Sequence, residues 1–324
     1  MKIEKIKNIL FITLSNLGDV ILTLPVLDLL KFNFPESKIT VMTDERAKGV
    51  FRFDLRISKL IVYNKFSPLR ERMRLAMSLK REKYDLVVDL RNTAFGLFLS
   101  PKYRTPIVDF FLKKNIHVKE KHLNKLRKFQ LKSYSVPKSS LEIRWEDRMY
   151  INSLLSLEGI SKGEKVVVVS PGARSHLKRW KSEGFSQVCD RVIKEMKLKV
   201  ILVGDEKDSE IIEKVINPMH TKPINFCGKT SIGQLCTLLK RAHLLISNDS
   251  AVMHIASYLN IPVLAIFGST NRFKYGPWSE KNIVIQKNFK CVPCSKAECK
   301  YSLECMKLIE PEEVFEAVRK LLEL

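Results

Sequence analysis

Residues 165–170 read KVVVVS and residues 199–204 read KVILVG, with an amphipathic helical stretch, Ser182–Met196, between them. A run of four valines is what a strand buried on both faces requires, since a strand with one wet face would alternate apolar and polar residues. Continuous apolar strands alternating with helices indicate parallel sheets covered on both sides. The alternation continues downstream, through a helix near Lys207–Val215 and strands at Ile224–Phe226, His243–Ser247 (HLLIS) and Pro262–Phe267 (PVLAIF). Upstream, the same reading predicts strands at Asn8–Leu14, Ile39–Thr43, Leu60–Tyr63 and Asp85–Asp89, with a helix over Val20–Phe32. The two series meet at a polar, turn-prone stretch, LEGISKGE at 157–164. An α/β protein of two Rossmann-like domains follows, 1–160 and 161–310, with a terminal helix over 311–324 started by Pro311-Glu312-Glu313.

Composition narrows the class. At 324 residues the chain is long for one core, and 45% hydrophobic content argues against disorder. Apolar runs such as Ile261–Phe267 are strand-length, far short of the ~20 residues of a membrane span. The start, MKIEKIKNIL, runs straight into a strand without an apolar signal region, so a cytoplasmic protein is expected. The net charge is +22 and uneven: residues 1–162 hold 32 Lys/Arg against 17 Asp/Glu, residues 163–324 hold 25 against 18, and segment 102–138 holds 11 against 2. Such a field suits nucleic acid, an anionic membrane face or an acidic glycolipid; a Lys-rich solubilising surface is the plainer reading. Nucleic acid is disfavoured, because the cations are not interleaved with stacking aromatics and no recognised motif appears.

Open parallel sheets bind ligands at the carboxyl ends of their strands. Ser15-Asn16-Leu17-Gly18-Asp19 follows the first strand; Gly18 permits a tight turn, and Asp19 is either a helix-capping aspartate or a site carboxylate. The dinucleotide fingerprint G-x-G-x-x-G is absent there, which disfavours a nicotinamide cofactor. Pro171-Gly172-Ala173-Arg174 followed by Lys178-Arg179-Trp180 suits a phosphate site, with Trp180 packed rather than exposed. Asn248-Asp249-Ser250-Ala251 starts a helix that reaches His254, and its first N–H groups suit a diphosphate. Asp205-Glu206 could receive ribose hydroxyls or simply charge the start of the next helix. Cys189, Cys227 and Cys236 read as small core residues. Cys291, Cys294, Cys299 and Cys305, spaced C-x2-C-x4-C-x5-C, could enclose one structural zinc; free thiols and a regulatory disulfide stand beside that reading.

Taken together, the motifs resemble glycosyltransferase family 9, the lipopolysaccharide heptosyltransferases. Leu10–Pro25 (LFITLSNLGDVILTLP) is similar to that family's opening, SPGARSHLKRW at 170–180 to the entry of its second domain, and SNDSAVMHIASYLNIPVLAIFGST at 247–270 to its diphosphate-binding helix and following strand. A His117-to-Lys121 stretch before a first-domain helix extends the likeness. The resemblance implies a GT-B fold, two Rossmann-like domains facing across a cleft with the terminal helix returning to the first. It also implies an inverting enzyme that needs no cofactor for catalysis. It places the catalytic base on Asp19, with Ser15, Asn16 and Gly18 in the cleft loop, and the phosphate-contacting lysine on Lys178 beside Arg179. Diphosphate contacts fall on Asp249, Ser250, Ala251 and His254, and the ribose contact on Glu206 or Asp205. Similar cysteine clusters occur in some members. Many members carry Gly-Pro where this chain has Ala251-Val252; valine is bulkier and keeps an N–H that proline lacks. The implied reaction moves heptose from ADP-heptose to the acidic inner core of lipopolysaccharide, with the enzyme held peripherally at the anionic inner membrane face. Another donor or acceptor within the family is the alternative, and a non-catalytic nucleotide-sugar or nucleic-acid binder is the alternative of a different class.

Overall fold

The computed structural model describes residues 6–52, 54–93, 95–107, 115–134, 141, 143–294 and 296–323, so parts of the basic segment 102–138 lie outside the described residues. The chain divides into two compact units, Met1–Glu142 and Ile143–Leu324.

The first unit is built on β1 (Asn8–Ile12), β2 (Lys38–Thr43), β3 (Lys59–Val62), β4 (Leu86–Asp89) and β5 (Tyr103–Arg104), in the order β3-β2-β1-β4-β5. Every pairing is parallel, with Ile9 set between Ile39 and Leu86. Ile9–Ile12 and Leu86–Val88 are fully buried, as their unbroken apolar runs require. The helix expected over Val20–Phe32 is two helices, Leu17–Ile21 and Leu24–Asn33. Pro25 is the reason: it has no N–H to bond back to Ile21, and its ring clashes with that carbonyl, so the helix stops and restarts with proline in its first turn. Thr23 fills the break, donating to the Val20 carbonyl (2.6 Å) and lying 2.8 Å from the Thr13 hydroxyl.

The second unit holds β6 (Val166–Ser170), β7 (Lys199–Leu202), β8 (Ile224–Asn225), β9 (Leu244–Asn248), β10 (Val263–Phe267) and β11 (Asn282–Gln286). Their order, β11-β10-β9-β6-β7-β8, is again wholly parallel. This is the doubly wound dinucleotide-domain order, in which the chain leaves the central strand first one way and then the other. The strands β5 and β11 were not anticipated. One is two residues long, and the other is only half-buried, so neither carries a full apolar run.

The boundary expected near residue 160 falls instead between 142 and 143. Helix Trp145–Leu157 belongs to the second unit because it packs on helix Ile232–Arg241. A Cβ on Gly233 would come within 2.5 Å of Asp147 Oδ2, and Tyr150 donates to the Lys229 carbonyl at 2.9 Å. The turn-prone 157–164 stretch therefore joins that helix to β6. Helix Pro311–Leu322 packs on helix Ser182–Lys194 and against β9, β10 and β11, with the Arg191 guanidinium 3.7 Å from the Phe315 ring centroid. No helix among the described residues is long and apolar enough to cross a membrane.

Candidate functional site

In the second sheet β6 lies beside β9, and the chain winds away from that pair in opposite directions. The loops leaving their carboxyl ends must diverge, and the crevice so opened is where such sheets hold ligands. The loop after β6 carries Lys178 and Arg179; the loop after β9 carries Asp249 and Ser250.

Lys178 ends a one-turn helix, His176–Lys178, capped by Ser175 and pinned by buried Leu177. Its ammonium lies 2.7 Å from Asp249 Oδ2. Asp249 is 5% exposed, whereas the lysine side chain keeps 35% of its surface in solvent. Asp249 is itself an anion and would repel a phosphate; what it does is hold the cation in place. The N–H groups of the helix behind it are suited to phosphate. Ser250 caps helix Ala251–Tyr258 by accepting from the Met253 amide at 3.4 Å, and helix geometry leaves the Ala251 and Val252 amides without an intrahelical acceptor. His254 is buried one turn on, its ring stacked on Trp278 with centroids 5.7 Å apart.

Asn248, fully buried at the end of β9, ties the loop after β6 at both ends. Its Nδ2 donates to the Pro171 carbonyl (2.7 Å), and its Oδ1 accepts from the Trp180 amide (3.1 Å). Trp180 is packed as expected, edge-on to Phe185 at 5.0 Å and donating its indole N–H to the Ile309 carbonyl at 3.0 Å. Arg179 turns back, its Nε donating to the Ala173 carbonyl (2.8 Å). Asp208 was missed by sequence reasoning. A Cβ on Gly172 would lie 2.5 Å from its carboxyl and one on Gly204 2.8 Å from its Cβ, so both strand-end glycines make room for it. Burial, and then the Asp205 carboxylate, push the Asp208 pKa up, against a smaller opposing effect of Arg179. Two glycines just past adjacent strands were the available signal.

The open question at Asp205-Glu206 divides between them. Asp205 is a helix cap: its carboxylate accepts from the Lys207 amide (2.8 Å), while its own amide donates to Asp208 (3.2 Å). Glu206 is exposed beside Gly228, whose φ is +68°.

In the first sheet the corresponding pair is β1 and β4. Gly18, expected in a tight turn, is the second residue of helix Leu17–Ile21, and Asn16 rather than Asp19 occupies the cap position. Half-buried Asp19 accepts the Asn16 side-chain amide on Oδ2 at 3.0 Å, and Ser15 precedes them in the same loop. At the end of β4, Asp89 accepts from the Arg91 and Thr93 amides (3.0 and 2.7 Å), and buried Lys125 donates to the Asp89 carbonyl (3.2 Å) and to the Asn92 side chain. His122 is buried nearby in sequence, on helix Val118–Asn124, with neither ring nitrogen hydrogen-bonded among the described residues; burial, then Lys125, Lys121 and His117, bring its pKa down to about 4.

All seven cysteines are free. Burial raises Cys189 and Cys236 to about 12, as core thiols should be. Cys305 is raised by burial and by its neighbours Cys291, Cys299 and Cys294, so the four thiols share one region. Cys299 Sγ instead accepts the Tyr301 and Leu303 amides (3.4 and 3.3 Å). Among the described residues no group of three or more His, Cys, Asp or Glu side chains stands in a metal-holding arrangement.

Residues 91–304 match the family profile of glycosyltransferase family 9 (heptosyltransferase). Lipooligosaccharide heptosyltransferase 2 of Campylobacter jejuni is 28% identical over 312 residues, covering 94% of this chain and 96% of that protein. The crystal structure of a family 9 glycosyltransferase from Veillonella parvula superposes with a TM-score of 0.83 at 27% identity, over 98% of this chain and 97% of that one. Escherichia coli ADP-heptose lps heptosyltransferase II shares the fold, with a TM-score of 0.75 at 22% identity over 98% of each chain.

Proposed function

Because this chain belongs to glycosyltransferase family 9, the heptosyltransferases, we propose that it transfers heptose from ADP-heptose to the acidic inner core of lipopolysaccharide, inverting the anomeric centre without a catalytic metal. One observation carries the donor half of this reading: Lys178, tethered to Asp249, beside the open amides of a helix start at the switch point of the second sheet.

The acceptor hydroxyl oxygen attacks the anomeric carbon as the bond from that carbon to the diphosphate oxygen breaks. Positive charge builds on the sugar, as in glycoside hydrolysis, and negative charge builds on the departing diphosphate. Lys178, Arg179 and the amides of Ser250, Ala251 and Val252 meet the second charge with donors already in place. The hydroxyl proton passes to Asp19, whose Oδ1 has no hydrogen bond among the described residues. With cations and amides neutralising the leaving group, the reaction asks for no divalent ion. Glu206 takes the ribose hydroxyls, because Asp205 is occupied as a cap. His254, one turn into helix Ala251–Tyr258, stacks on Trp278.

Replacing Asp19 with Asn should lower turnover by ~10²–10⁴ while leaving ADP affinity close to that of the parent protein. Unchanged turnover removes Asp19 from the reaction. A thermal-shift panel of nucleoside diphosphates tests the donor, with ADP expected to stabilise most. Persistence of transfer in excess chelator tests the metal.

A further inference from the structure

Helix Leu69–Arg81 buries one side chain, Leu79, and leaves Leu69, Met73 and Met77 in water at 67, 57 and 54% exposure. Residues four apart share a helix face, so these three form one apolar stripe. Phe66, 82% exposed, stands in the turn just before the helix. Phe98 extends the surface, half-exposed with the Lys80 ammonium 5.2 Å from its ring centroid.

The charges around this stripe are of one sign. Arg70, Arg74 and Arg81 run along one flank, Lys80 lies within the stripe, and the single acid of the helix, Glu71, falls on the opposite face. Lys65 sits over the Phe66 ring at 4.7 Å. A protein partner would need acids of its own spaced along a narrow groove. A bilayer with anionic headgroups needs only an apolar strip that enters the acyl boundary and cations that stay at headgroup level. Helix Trp145–Leu157 also exposes apolar residues, but Glu146 and Asp147 interrupt its cations, so it lacks this one-sided field.

We propose that helix Leu69–Arg81, with Phe66 and Phe98, is the surface by which this protein docks onto an anionic membrane. The proposal deepens the reading of a lipid-borne acceptor. Lying in the interface, the helix would bring the first unit to the plane where such an acceptor's sugars begin.

The test is co-sedimentation of the full chain with vesicles free of acceptor and donor, made of phosphatidylethanolamine and phosphatidylglycerol or of phosphatidylcholine alone. The parent protein should bind the anionic vesicles, weaken as salt rises from about 0.05 to about 0.3 M, and bind phosphatidylcholine poorly. The triple variant Leu69→Ser, Met73→Ser, Met77→Ser should lose roughly tenfold or more of that binding, with unchanged transfer to a soluble, delipidated core acceptor. Equal vesicle binding by the variant, or none by the parent protein, overturns the proposal. So does a change in oligomeric state without lipid on making the variant, which would show that a second copy covers the stripe. Failure of transfer to the soluble acceptor by the parent protein would instead sink the reaction assignment and leave the docking result standing.

Discussion

Replacing His122 with Leu should remove an acid sensitivity built into the first unit. The imidazole is buried with both ring nitrogens unbonded among the described residues, and its pKa falls from an ordinary 6.5 to about 4. Between those values the unfolded chain binds a proton that the folded chain refuses, so folding stability rises with pH across the window and is lost on acidification. At roughly 1.4 kcal/mol per pH unit the whole window is worth about 3 kcal/mol. About 2 kcal/mol of it falls between about pH 7.5 and about pH 5. Carboxylates add their own acid dependence, so the informative quantity is the difference between parent and variant at each pH. In urea melts followed by circular dichroism, an energy of that size moves a midpoint by about 1 M. The variant should match or exceed the parent protein near pH 7.5, because a leucine there leaves no polar atom unsatisfied. Its advantage should widen by about 1 M urea at about pH 5. A constant difference across the range would refute the reasoning, since the buried imidazole would then not be what titrates.

Three further changes probe the second unit. Lys178→Ala should weaken ADP binding by about 10- to 100-fold, the worth of one charge-assisted contact, measured by calorimetry; undiminished affinity would move the diphosphate elsewhere. Asn248→Ala strands the Pro171 carbonyl and the Trp180 amide, and should cost about 2 kcal/mol of stability together with a loss of nucleotide affinity as the loop after β6 loosens. Gly184→Ala should cost ~1–3 kcal/mol, because the added methyl would stand 2.5 Å from Trp180 Cζ2; tryptophan emission reports it directly, and an unchanged melt would mean that the ring has room to move.

The local physics of the chain was readable in order. Unbroken apolar runs marked the central strands β1, β4, β6, β9 and β10 because burial on both faces leaves no room for polar residues, and the loops after the strands carry most of the candidate site residues because parallel sheets present ligands at their carboxyl ends. What the sequence alone could not rank was which loops become neighbours. Lys178 and Asp249 are 71 residues apart and meet only because β6 pairs with β9; Asn248 reads as a helix-start residue until the sheet order brings it against Pro171, and Asp208 stands out only where Gly172 makes room for it. The unit boundary was misplaced for the same cause: 157–164 is turn-prone by composition, but the helix before it packs on the second unit. Spacing along one chain determines turns, caps and amphipathic faces, whereas strand order is set by a competition for burial among distant segments, and that competition is settled only in three dimensions.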